Sequence, residues 1–161
     1  MAKTKTKIGD FVGSLYYARL HTDNMDDSEY HERTQGQYNT VFIPKDDEEI
    51  NRMVDLGFPT ESMGNQMIKE YSVADGRKGM KLKRPNVHPS GIGNFGGAPS
   101  VTKGETLVPW DFIEDGELGN GTEAKVRISV YGEGATASVR LEKVGVLEHV
   151  PYQELEDVDT W

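Results

Sequence analysis

The sequence predicts one small barrel-like domain, all-β or α+β, followed by an acidic tail. Residues 119–150 carry the clearest signal. A Gly-Asn-Gly turn precedes Lys125-Val126-Arg127-Ile128-Ser129-Val130-Tyr131, in which Val126, Ile128 and Val130 share one face and Lys125, Arg127, Ser129 and Tyr131 the other. Gly132-Glu133-Gly134 turns the chain, and Val139 and Leu141 return in one phase while Val144, Val146 and Val150 follow in the opposite one. That switch predicts a β-bulge near Glu142-Lys143. Composition agrees, because 18 glycines in 161 residues point to turns and irregular β-structure. The length gives one domain a real core and is too short for two comfortable ones.

The first strand is expected over residues 10–20, which are rich in aromatic and aliphatic side chains, behind a basic flexible arm of residues 1–9. Residues 21–36 read as a solvated acidic loop. Its Asp23, Asp26, Asp27, Glu29, His31 and Glu32 match no metal motif, since Met25 occupies the second ligand slot of an EF-hand pattern. A second strand over residues 37–43 ends at Pro44. In the helix that follows, Asp46 is the cap, Glu49 its capping-box partner, and Asp47 and Glu48 face the positive end of the dipole. Ile50, Met53 and Val54 form its apolar stripe, and Gly57 stops it.

Residues 66–73 and 79–83 read as two strands around a turn at 74–77. Arg77, Lys78, Lys81, Lys83 and Arg84 place five cations in eight residues there, either a phosphate track or an edge strand kept soluble by lysines. Residues 85–99, with three prolines and four glycines, form a long loop. Residues 101–119 set Trp110 and Phe112 among Glu105, Asp111, Glu114, Asp115 and Glu117 and fit no clear element.

Several chemistries find no support. The absence of cysteine excludes structural disulfides, thiol catalysis and Cys-type zinc sites. The G-x-G-x-x-G at residues 91–96 is preceded by Pro85 and Pro89 and followed by Gly97 and Pro99, where a dinucleotide site needs a strand and then a helix. His21, His31, His88 and His149 are far apart, and no Ser or Lys lies in a nucleophile motif. The carboxylate pairs Asp46-Asp47 and Glu114-Asp115 are explained by a helix start and an acidic loop. The expectation is therefore no enzyme, no cofactor and no metal. Residues 1–7 alternate Lys and Thr without a signal-peptide core, and no eighteen-residue apolar run exists, so a cytoplasmic protein without membrane contact is expected.

The order of elements, with Gly119-Asn120-Gly121-Thr122 followed by residues 126–131 and 139–152, resembles a phage-encoded single-stranded DNA-binding protein of the replication type. The similar features are the small-residue turn, the hydrophobic strand and the closing Val/Leu strand with its Pro-Tyr exit. They cover the C-terminal third, and the order of elements extends over the rest. The resemblance implies an OB-fold-like five-stranded Greek-key barrel over residues 10–152, with one short helix across an end, an extra β-hairpin and long loops. It implies a protein that binds and protects single-stranded DNA with little sequence preference in phage replication or recombination. Arg77, Lys78, Lys81, Lys83, Arg84, Lys125 and Arg127 would meet phosphates. Tyr16, Tyr17, Phe95, Trp110 and Tyr131 would stack on bases, each with the barrel core as its alternative place.

The net charge of −9 opposes that reading until its distribution is considered. Residues 154–161 hold Glu154, Glu156, Asp157 and Asp159, no base, and the terminal Trp161. The tail, residues 153–161, is similar to acidic tails that dock into replisome proteins such as polymerase and helicase or primase. Its indole offers an apolar anchor, and its carboxylates seek basic pockets. A homodimer is compatible with the sequence. The competing readings are an acidic β-rich phage structural or assembly protein that binds protein, and an RNA- or duplex-binding barrel.

Overall fold

A computed structural model of the chain describes residues 6–21, 36–58, 68–85, 97–132 and 138–151. The elements in order are β1 (Lys7–Arg19), β2 (Gln37–Pro44), α1 (Asp47–Leu56), β3 (Lys69–Tyr71), a 3-10 turn (Ser72–Ala74), β4 (Arg77–Pro85), β5 (Ser100–Lys103), β6 (Thr122–Tyr131) and β7 (Ser138–Glu148). They form one seven-stranded sheet in the order β3-β4-β2-β1-β6-β7-β5. Its central five strands follow an OB-fold-like order, with β3 and β5 added at the edges. The sheet is not closed. β4 and β7, the strands that would meet at the seam, are bridged by side chains, with Arg84 Nη1 3.2 Å from Glu142 Oε1.

β1 organises the sheet by pairing on both edges. Residues Lys7 to Leu15 pair with β6, and Gly13 to Arg19 pair with β2. The overlap begins at Gly13, where an added Cβ would lie 2.2 Å from the Ile43 carbonyl oxygen, so the close approach of β2 there requires glycine. Alternation sends Phe11 and Leu15 of β1, Phe42 of β2, Met80 and Leu82 of β4, and the even residues Ala124 to Val130 of β6 into one core. Each of these side chains other than Ala124 contributes about 1.5–3 kcal/mol on full burial. The bulge in β7 falls where the phase switch places it. Arg127 pairs with Lys143 and Ile128 with Leu141, leaving Glu142 as the extra residue.

The helix α1 packs against β1. Asp46 caps it, its Oδ1 accepting from the Glu49 amide at 2.9 Å. The capping-box expectation needs correction, because the Glu49 carboxylate is buried and accepts the Val12 amide at 2.7 Å instead of reaching back to the cap. It anchors helix to strand. At the other end Gly57 (φ +121°) donates to Val54 and Phe58 donates to Met53, a Schellman closure that buries Phe58.

Other boundaries also differ from the sequence reading. Lys7, Ile8 and Gly9, read as part of the basic arm, are strand. Of the expected strand over 66–73, residues 66 and 67 lie outside the described residues; the rest holds β3 and then tightens into a 3-10 turn, where Ala74 and Val73 fold onto Val41 and Ile43. β4 is longer than expected at both ends. Residues 101–119, which fitted no element, contain the end of β5, paired in parallel with β7, and a return segment bridged from Pro109 to Thr102. Most of the acidic loop, the G-x-G-x-x-G with Phe95, and the tail residues Glu154, Glu156, Asp157, Asp159 and Trp161 lie outside the described residues. Among the described residues no helix is long and apolar enough to cross a membrane.

Candidate functional site

Strand register assembles the site from residues far apart in sequence. In the β4-β2-β1 part of the sheet Lys81 pairs with Val41, which pairs with Tyr16. Two positions along, Lys83 pairs with Asn39, which pairs with Arg19. Paired residues of a ladder share a face. The face turned away from the main core therefore carries two rows about 7 Å apart, each with a half-buried lysine at one end, Tyr16 or Arg19 at the other, and a buried β2 side chain, Val41 or Asn39, between. Tyr16 is half-buried against Val41 and Ile43, whereas Arg19 is exposed.

Lys81 and Lys83 have no carboxylate partner among the described residues. Burial strips water from the Lys83 ammonium, and the charge of Lys81 adds to that, so its pKa lies below the ordinary 10.5. An uncompensated pair of cations held on one face favours an anion between them.

Between the two rows the ladder shifts register, from Tyr16 opposite Val41 to Arg19 opposite Asn39. This bulge places Tyr17 at φ +51° and leaves the residue 59% exposed. The only other described non-glycine residue with positive φ is Asp75, in a tight turn where a short polar side chain tolerates it. For tyrosine the conformation costs roughly 1–2 kcal/mol. It is held from outside the strand, since Asn120 Oδ1 accepts the Tyr17 amide at 2.8 Å and the Gly121 amide donates to Leu15 at 2.9 Å.

Lys125 and Arg127 stand on a different outer face, that of β1, β6 and β7, and each is ion-paired. Lys125 contacts Glu105, and Arg127 grips Asp10 through two bonds of 2.7 and 3.0 Å. The Arg127 hydrogen bond holds the Asp10 carboxyl below its ordinary 3.8, and the same pair raises the arginine. Tyr131 is exposed at the far end of β6, beside the Lys7 end of β1 and away from Tyr17.

The five cations of β4 do not form one track. Alternation keeps Arg77, Lys81 and Lys83 in one phase and puts Lys78 and Arg84 in the other. Arg77 donates to the Pro44 carbonyl, and Lys78 is exposed opposite Glu70 at the sheet edge. Arg84 is buried opposite Tyr38. It binds the Gly97 carbonyl at 2.9 Å and Glu142, which also takes Arg140 and Ser129. Its guanidinium braces the seam instead of meeting a ligand. Trp110 likewise turns inward, with its Nε1 donating to Gly116 at 2.9 Å and its ring edge-on to His149. Sequence reasoning missed Arg19, Asn39 and Asn120. A polar residue beside the tyrosines was the only signal for the first, and the other two depend on register.

No protein-family model matches the chain, and a search of curated protein sequences gives no significant match. Solved structures do. The chain is similar to gp2.5, a single-stranded DNA-binding protein encoded by bacteriophage T7, at 20% identity with a TM-score of 0.60, over 100% of this chain and 99% of that one. It is also similar to the single-stranded DNA-binding protein from bacteriophage Enc34, at 15% identity and a TM-score of 0.55, over 91% of this chain and 86% of that one. At these identities the likeness is one of fold.

Proposed function

We propose that the chain binds single-stranded DNA on the outer face of β4, β2 and β1, with Lys81, Lys83 and Arg19 meeting phosphates and Tyr17 and Tyr16 meeting bases. The carrying observation is a lysine pair with no carboxylate among the described residues, in register with Tyr16 and Arg19 and beside Tyr17 in the register break between them, on a fold shared with two phage proteins named for this activity. In OB-folds the face of the second and third strands binds oligonucleotides, and β2 and β4 hold those places here. Phosphate contacts and stacking are both sequence-tolerant, so little sequence preference follows. The chain acts as a binding protein without a catalytic step, in phage DNA replication or recombination. Its tail, through Trp161 and the carboxylates Glu154, Glu156, Asp157 and Asp159, recruits replisome proteins.

Intrinsic Trp and Tyr fluorescence titrated with a thymidine oligomer and with a matching duplex, at low and moderate salt, tests this. Saturable quenching by the single strand, weaker for duplex and weakened by salt, is expected. No binding of the single strand at low salt overturns the proposal. Tighter binding by a chain ending at Gln153 is expected if the tail carboxylates compete with phosphate.

A further inference from the structure

Resting on that reading, we propose that the Gly119-Asn120-Gly121 turn is a positioning device that locks Tyr17 in its left-handed conformation, making the exposed ring a pre-set platform for one unstacked base between the two rows. Three restraints converge on this short stretch of β1. The Gly121 amide holds the Leu15 carbonyl at 2.9 Å, the Thr40 hydroxyl donates to the Tyr16 carbonyl at 3.1 Å, and Asn120 Oδ1 holds the Tyr17 amide at 2.8 Å. The hydrogen bond from Asn120 spans 103 positions of sequence and acts on the strained residue itself.

Glycine would occupy a positive φ without cost, and a side chain that gains stability by packing would be buried. Tyr17 does neither, being strained and largely exposed. Strain that the surroundings maintain without a packing gain marks a position kept for what the side chain presents. The lysine rows flank Tyr17 along the strand and accept phosphates, and a backbone held in place before ligand arrives has no further φ/ψ freedom to lose when a base stacks on the ring it presents. Asn120 is a positioning residue in this scheme and touches no base.

The test measures binding of a short thymidine oligomer, and of an abasic deoxyribose-phosphate oligomer of equal length, to the full chain and to Tyr17→Gly, Asn120→Ala and the double variant, with thermal unfolding of each. Tyr17→Gly is expected to lose between about fivefold and a hundredfold in thymidine affinity, the range of one base–aromatic stack, while its melting temperature stays level or rises. Asn120→Ala is expected to lose most of that factor, and the double variant no more than Tyr17→Gly alone. Abasic affinity is expected to be the same for all four. Additive losses, or an Asn120→Ala loss that appears equally with the abasic oligomer, overturn the positioning role. If the unaltered chain binds thymidine and Tyr17→Gly binds it as well, the platform is overturned while the DNA-binding reading stands. If the unaltered chain binds neither oligomer, both fail together. Should Asn120→Ala unfold, Tyr17→Gly and Tyr17→Phe decide the platform, with Phe expected to retain affinity.

Discussion

Two pairs of cations, Lys81 with Lys83 on β4 and Lys125 with Arg127 on β6, share a spacing of two residues and an outward phase, yet their surroundings differ. The β6 pair is neutralised by Glu105 and Asp10, whereas the β4 pair has no carboxylate among the described residues. A phosphate arriving at β6 must displace a carboxylate, so its gain is offset by the ion pair it breaks. At β4 the phosphate supplies a counter-charge that the described residues do not. Cation density along a sequence is thus a poor guide to anion binding, and the missing partner is the better one.

The sharpest way to break the comparison is to change each pair to alanine. Lys81→Ala with Lys83→Ala is expected to lower single-strand affinity at least tenfold and to flatten its dependence on salt by about one to two phosphate contacts. Lys125→Ala with Arg127→Ala is expected to change it by less than about threefold. Equal losses from the two pairs, in fluorescence titrations over a salt series, would remove the distinction.

Asp10→Asn sharpens it from the other side by releasing Arg127. Affinity is expected to rise about twofold, and stability at neutral pH to fall by about 0.2–1 kcal/mol, the range of an exposed pair. Because the folded-state pKa of Asp10 is depressed, its contribution is present above the ordinary 3.8 and is lost as pH falls through the folded value. Urea unfolding curves of the two chains should therefore converge in acid. A difference that persists there assigns the effect to something other than the ion pair.

The smallest effect concerns Lys83. Its pKa is lowered, so its charge opposes folding below the folded value, and that cost disappears as pH rises from there towards 10.5. Single-strand affinity should correspondingly begin to fall at a pH below that of an ordinary lysine. Lys83→Arg should hold its affinity across the same range, and parallel titration curves for the two chains would count against the lysine's role.

Local signals made much of this legible in advance. The bulge at Glu142 followed from the phase change of valines, and the helix ends followed from Asp46 and Gly57. The split of the β4 cations was also there to be read, since Met80 and Leu82 mark the inward phase that Lys78 and Arg84 share. What stayed hidden depends on chain segments that meet only after folding. Glu142 meets Arg84 across 58 positions, and Asn120 meets Tyr17 across 103. Glu49 satisfies every local rule for a capping box and is drawn instead to an amide of β1. Spacing alone ranks such partners equally.

Gly13 sets a limit on reach. It begins the stretch of β1 that pairs with both neighbours, and how closely β2 approaches there depends on one missing methyl group. Beyond it the face that carries Lys81 and Lys83 spans only Ser14 to Arg19 of β1, roughly 20 Å of extended strand. A polymer lying on it engages a handful of its units before running off the edge. Under the proposed function, coverage of a long strand would therefore be a matter of counting copies, each taking one short step, with occupancy set by how closely successive molecules can be placed.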